Sequence, residues 1–126
     1  MKEKIIIEKT ENPWGCLAVI NLYGCDSNKI KNPKDINDFV INLCDLIEMK
    51  RYGDAIIDRF GKESYEGYSM MQFIETSSVT AHFDEIKNRA FIDIFSCKKF
   101  NIDKAVNYCV DFFKAERKKI YVIDRD

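Results

Sequence analysis

The chain has 126 residues, enough for one domain (1–126) with a genuine core, and its 46% hydrophobic and 13% aromatic content excludes disorder as the overall state. Lys+Arg 20 against Asp+Glu 21 leave a formal net charge of -1, so no basic face is offered to nucleic acid. No apolar run reaches membrane-spanning length, and Met1-Lys2-Glu3-Lys4 lacks the features of a signal peptide, so no membrane partner is expected and the cytoplasm is the expected location.

Residues 1–8 hold the apolar run Ile5-Ile6-Ile7, read as a short edge strand that Asn12-Pro13 breaks. Residues 16–23 are rich in strand formers and close at Gly24, and the polar stretch 26–32 reads as a loop. Asn32-Pro33 then starts a helix: Asn is a good N-cap, Pro suits the first helical position, and Asp35 complements the helix dipole. Ile36, Phe39, Val40, Leu43 and Ile47 recur at helical spacing as one apolar stripe, and the helix is expected to stop near Lys50.

A second strand is expected over 52–60, a charged turn over 61–67 and a third strand over 68–75, with 78–83 extending or following it. After a polar turn over 84–89, residues 90–96 form a fourth strand. A second amphipathic helix over 101–119 carries Ile102, Val106, Cys109, Val110 and Phe113, with Arg117-Lys118-Lys119 at its C-terminal dipole. A last strand covers 120–123. This order predicts an α+β two-layer sandwich, an antiparallel sheet with both helices on one face. Met70, Met71 and Phe73 argue against a wholly solvated open face, so dimerisation is expected.

Five cysteines, Cys16, Cys25, Cys44, Cys97 and Cys109, are scattered without a Cys-x-x-Cys pair, which argues for a reduced compartment and against a disulfide framework or zinc site. Cys44 and Cys109 fall in helical patterns as small core residues. Chemistry concentrates instead in Glu75-Thr76-Ser77-Ser78-Val79-Thr80-Ala81-His82 and in Ala90-Phe91-Ile92-Asp93-Ile94-Phe95-Ser96-Cys97. His82 is the only histidine; the Ser77 hydroxyl precedes it by five residues and the Cys97 thiol follows by fifteen. Hydroxyl, imidazole and thiol are the usual tools of nucleophilic and proton-transfer chemistry. A single histidine without clustered Cys or Asp supports no metal site.

Ser77-Ser78-Val79-Thr80-Ala81-His82 and Asp93-Ile94-Phe95-Ser96-Cys97 resemble the motifs of bacterial and archaeal S-adenosylmethionine decarboxylases, Ser-His-x-Ser/Thr-x-His-Thr-Trp-Pro-Glu and Asp-x-Phe-Thr-Cys. Gly67-Tyr68-Ser69 is similar to that family's Gly-Val-Ser, and Gly15 with Tyr23-Gly24-Cys25-Asp26 to its Gly…Tyr-x-Cys-Asp. The resemblance implies a proenzyme that cuts itself between Thr76 and Ser77 and turns Ser77 into a pyruvoyl cofactor, which takes the substrate amine as a Schiff base. It implies His82 as the base for processing, Ser69 as a holder of the processing intermediate, and Cys97 as the proton donor after carbon dioxide leaves. Phe60 resembles an aromatic that stacks on adenine in the family, although the longer turn after it favours core packing.

Two departures bear on function. The family has Glu before the cleaved serine, where this chain has β-branched Thr76, whose bulk is expected to hinder attack. The family's Thr-Trp-Pro-Glu after the histidine is missing, and Ile86 stands where its ribose-binding glutamate would be. Adjacent Glu85 is the candidate substitute if the turn shifts by one residue. S-adenosylmethionine, feeding polyamine (spermidine) synthesis, is therefore the first-choice substrate. A basic amino acid such as arginine or ornithine is an alternative, with Asp84 and Glu85 facing its cation. An uncleaved homologue that binds a small molecule or a subunit is another.

Geometry adds an expectation about assembly. At about 3.3 Å per residue, Ser69 to Ser77 would span roughly 26 Å and Ser77 to His82 roughly 17 Å if extended. No Gly, Pro, Asn or Asp lies between Ser69 and His82 to reverse the chain twice. Family members place the active site at a dimer interface. The expectation is a homodimer with shared sites, Ser77 and Cys97 from one protomer and Ser69 and His82 from the other.

Overall fold

The computed structural model describes residues 4–126; the first three residues of the expected 1–8 strand lie outside the described residues. Seven strands, β1 (Lys4–Glu8), β2 (Gly15–Tyr23), β3 (Ile56–Phe60), β4 (Gly67–Ile74), β5 (Ser77–Asp84), β6 (Arg89–Ser96) and β7 (Arg117–Arg125), form one sheet in the order β1-β7-β2-β6-β5-β4-β3. Helices α1 (Ser27–Ile30), α2 (Pro33–Leu46) and α3 (Ile102–Phe113) complete the α+β fold. The sheet is antiparallel except at one edge, where β1 runs parallel to β7. That departure from an all-antiparallel sheet follows from the connection between β1 and β2. It leaves a gap of one strand, which β7 fills antiparallel to β2, and so parallel to β1.

Alternation along the strands separates two faces. Ala18, Ile20 and Leu22 of β2, Val79, Ala81 and Phe83 of β5, and Ala90, Ile92 and Ile94 of β6 are buried in one cluster with both long helices. Phe39 of α2 is its aromatic centre, with its ring 4.7 Å from Phe113 and 5.6 Å from Tyr108, whose hydroxyl donates to the Phe39 carbonyl at 3.0 Å. The expected α2 stripe, Ile36 to Ile47, is buried throughout. Met70 belongs to this buried face, whereas Met71, Phe73 and Ile56 are exposed on the opposite one. The open face is thus apolar in part, as expected, but Met70 does not contribute to it.

Element ends differ from the sequence reading for identifiable reasons. Asn32 caps α2 by accepting from the Lys34 and Asp35 amides, but the helix ends at Leu46 and not near Lys50. Glu48 there takes the left-handed conformation (φ 58°), and the Met49 amide returns to the Cys44 carbonyl at 2.8 Å. Lys114 (φ 52°) ends α3 in the same way, so Arg117-Lys118-Lys119 lie in β7 and do not serve the helix dipole. Within the expected loop 26–32, Asp26 accepts from the Asn28 amide at 2.9 Å and nucleates α1. Gly53 (φ 75°) interrupts the expected 52–60 strand, leaving only Ile56–Phe60. The 61–67 turn holds a 3₁₀ turn, Glu63–Tyr65.

One difference governs the site. The segment 68–83 is a tight hairpin in which β4 and β5 pair from Ser69↔His82 to Ile74↔Ser77 around Glu75-Thr76. No turn-forming residue marks that reversal. It is held from outside, by the Glu75 amide donating to the Lys50 carbonyl at 2.9 Å and by bonds to Thr76 described below.

Candidate active site

Strand β5 carries chemistry at both ends. At its C-terminal end His82 pairs with Ser69 of β4, and Ser69 Oγ lies 2.8 Å from His82 Nδ1. With the proton on Nδ1 the ring donates to Ser69 and keeps Nε2 as an acceptor, the state a base requires. Gly67 makes this pairing possible. A Cβ there would meet the Phe83 carbonyl at 2.5 Å, so a side chain would push β4 off β5 two residues from Ser69.

At the other end Ser77 lies opposite Ser96 of β6. The Cys97 amide donates to the Thr76 carbonyl at 3.0 Å, the carbonyl of the expected scissile bond. Ser96 Oγ donates to Thr76 Oγ1 at 2.8 Å, and Thr76 Oγ1 in turn to Met49 Sδ at 3.4 Å. Ser77 has φ 155°, a region open to glycine and disfavoured for any side chain by roughly 1–3 kcal/mol. Cys97 is an exposed free thiol. Burial pushes the Cys25 and Cys44 thiols up to about 11 and raises Cys109 as well, which leaves those three inert at neutral pH. Cys16 is raised by burial and then by Asp124.

One chain therefore brings Ser69 to His82, and Ser77 to Cys97, but keeps the pairs apart. Five residues of β5 separate Ser77 from His82, roughly 17 Å of strand. The chain reverses once here, at a turn without turn-forming residues, and a single reversal does not unite all four groups.

A cleft of about 370 Å³ at His82 is lined by Ser64, Tyr65, Ile86, Lys87 and Phe91, and neither Glu85 nor Phe60 is among its lining residues. Glu85 is engaged by Arg59, whose Nη1 and Nη2 grip both carboxylate oxygens, the latter at 2.9 Å, while Arg59 Nε holds Glu66 at 3.0 Å. Each Glu85 oxygen keeps a second lone pair, but the side chain is only 12% exposed, so little of it is open to a ligand hydroxyl. Asp84 is bound by Arg89 at 2.7 Å and also accepts from the Ile86 amide. Phe60, expected in the core, is 60% exposed at the end of β3, opposite Gly67. Sequence reasoning missed Met49, Ser96 and Arg59. Only Ser96 stood inside a motif; Met49 and Arg59 carry no local signal.

Among the described residues no helix is long and apolar enough to cross a membrane, and no group of three or more His, Cys, Asp or Glu side chains could hold a metal ion.

The α+β fold thus presents Ser77 at a hairpin turn, directly after a carbonyl held by the Cys97 amide. The sequence profile of S-adenosylmethionine decarboxylase matches residues 17–126. The chain is 31% identical over 110 residues to an S-adenosylmethionine decarboxylase proenzyme of Clostridium botulinum (strain Langeland), covering 84% of this chain and 91% of the relative. It is 29% identical over 106 residues to one from Saccharolobus islandicus (strain L.S.2.15), covering 83% of each. The chain belongs to the S-adenosylmethionine decarboxylase family. Its fold matches the crystal structure of the adenosylmethionine decarboxylase from Aquifex aeolicus with a TM-score of 0.77 over 90% of this chain and 91% of that one, at 18% identity.

Proposed function

We propose that the chain is a self-processing S-adenosylmethionine decarboxylase, a carboxy-lyase of polyamine synthesis, that cuts itself between Thr76 and Ser77. The observation that carries this reading is the Thr76 carbonyl held on the Cys97 amide with Ser77 at φ 155°. An aligned N–H donor stabilises the oxyanion that forms when a hydroxyl attacks that carbonyl. Ser77 Oγ bonds to the Thr76 carbonyl carbon, the C–N bond breaks, and the hydroxyl proton passes to the Ser77 nitrogen. Replacing the peptide bond by an ester frees Ser77 from its strained φ, so the rearrangement starts from a raised ground state. Loss of the Ser77 α-proton to His82 then expels the Thr76 carboxylate, and hydrolysis of the remaining residue releases ammonia.

The fit of the residues to a pyruvoyl group rests on this turn: among the described residues only Ser77 combines the strained backbone with a preceding carbonyl held by the Cys97 amide. When formed, the group supplies an electron sink for decarboxylation. Cys97, solvent-accessible at the same end of the sheet, returns a proton to the substrate carbon. Ser69 orients His82 through the 2.8 Å contact. The distance along β5 supports a homodimer in which a partner's Ser69–His82 pair serves Ser77 and Cys97.

Membership of the family supports the adenosyl substrate over a basic amino acid. Asp84 and Glu85 are already paired with Arg89 and Arg59, so neither is free for the guanidinium or ammonium group of arginine or ornithine. Phe60, exposed at the end of β3, remains available to stack on adenine. Ile86 lines the cleft where an acceptor for ribose hydroxyls would serve, so Glu85, once released from Arg59, is the candidate for that contact.

Intact mass tests the reading. The wild-type chain is expected to resolve into two fragments that meet at Thr76/Ser77, and Ser77→Ala to remain a single folded species near 14.8 kDa. A wild-type chain still whole after prolonged incubation would favour the uncleaved binding homologue. Two chains from Ser77→Ala would move the nucleophile to Ser78. Carbon dioxide release from S-adenosylmethionine, arginine and ornithine then separates the substrates.

A further inference from the structure

The two residues that end the last strand of the site hold Thr76 at both of its polar groups. Cys97 takes the carbonyl through its amide, and Ser96 takes the side chain through its hydroxyl. Ser96 is 1% exposed, so its hydroxyl must find its partners inside the protein. It accepts from the Lys98 amide at 3.0 Å and donates to Thr76 Oγ1 at 2.8 Å. Thr76 Oγ1 passes its own proton toward Met49 Sδ at 3.4 Å. Ser96 Oγ itself lies 3.7 Å from Met49 Sδ, so the two hydroxyls and the thioether form one cluster with the sulfur as acceptor.

This arrangement restrains a particular motion. A flip of the Thr76–Ser77 peptide plane would carry Ser77 out of its strained φ and swing the Thr76 oxygen off the Cys97 amide. With the Thr76 side chain anchored to Ser96, and the preceding Glu75 amide anchored to Lys50, the turn has little freedom to drift and relax. Thr76 was expected to hinder attack by its bulk, yet its β-hydroxyl is what enters the cluster.

We propose that Ser96 is a positioning residue for self-cleavage: by gripping Thr76 Oγ1 it keeps the Thr76 carbonyl on the Cys97 amide while Ser77 is held in its strained conformation. The inference rests on the cleavage reading above and assigns a function to a buried side chain remote from the substrate cleft.

The test measures the first-order rate of cleavage by mass spectrometry in wild type, Ser96→Ala, Ser96→Thr, Thr76→Val and Thr76→Ser. Circular dichroism confirms folding, and Thr76→Val keeps the test decisive if Ser96→Ala does not fold. Ser96→Ala and Thr76→Val should slow cleavage about fivefold, the rate equivalent of one lost hydrogen bond, and the two hydroxyl-retaining variants should restore most of the rate. A second readout isolates the acyl shift. In a His82→Ala background elimination stalls, and hydroxylamine cleaves only chains that have reached the ester. Adding Ser96→Ala should lower that yield and Ser96→Thr should recover it. Folded Ser96→Ala and Thr76→Val that cleave at the wild-type rate would overturn the inference alone. A wild-type chain that never cleaves would remove the cleavage reading and this inference with it.

Discussion

Ser77 is held in a backbone region that side chains avoid, and what holds it there is a set of neighbours brought in from elsewhere in the chain. The Lys50 carbonyl and Met49 follow α2, while Ser96 and the Cys97 amide come from the end of β6. Cys97 has a second assignment, and it can be separated from the first. On the proposed reading its amide acts in processing and its thiol in turnover, so Cys97→Ala should still cleave but decarboxylate poorly. Protonation on the wrong carbon should then inactivate it progressively. Cleavage followed by mass, beside carbon dioxide release over successive turnovers, checks this, and wild-type turnover would reduce the thiol to a bystander. Ser69, Ser77, His82 and Cys97 were legible in the sequence because their spacing resembles the motifs of the family. Met49 and Arg59 were not, because a thioether acceptor and a guanidinium clamp are defined only by what the fold places opposite them.

The β4–β5 hairpin converts residue types into geometry. Gly67 is its most sensitive position, since Gly67→Ala sets a methyl group against the Phe83 carbonyl at 2.5 Å. Overpacking of this kind costs about 1–3 kcal/mol, to be read as a lowered denaturant midpoint. The variant should also process slowly, because Ser69 and His82 lose their register. An unchanged midpoint would mean that the strands part without penalty. The start of α2 was readable from Asn32-Pro33 because a cap is local chemistry. The ends of α2 and α3 were not, since Glu48 and Lys114 occupy left-handed positions where glycine is the usual signal. The turn at Glu75-Thr76 was unreadable for a related reason: long-range bonds stabilise it, and turn-prone residues do not.

At the scale of the whole molecule the open face of the sheet carries Ser69 and His82 beside exposed Met71, Phe73 and Ile56. A second copy laid on this face would cover apolar surface and bring a foreign Ser69–His82 pair toward Ser77. Coexpressed Ser77→Ala and His82→Ala chains should then regain partial cleavage, because one site in each mixed dimer retains every group. Mixed dimers that form and stay wholly uncut would rule out a shared site.

Cleavage between Thr76 and Ser77, as proposed, would sever a chain of this topology without separating its parts. Residues before Ser77 supply β1 to β4 and the remainder supply β5 to β7, so β1–β7, β7–β2, β2–β6 and β5–β4 are all boundaries between fragments. The two pieces are interleaved like the fingers of clasped hands. They should therefore coelute under native conditions and part only in denaturant. Refolding, unimolecular for the intact chain, becomes a bimolecular search, so the midpoint of the cut protein acquires a dependence on concentration that the Ser77→Ala chain, uncut, has only through any dimer it forms. Strand β7, which follows the other six strands in sequence, is inserted between β1 and β2. A chain severed before β7 is in place would lack much of the pairing that keeps its halves together.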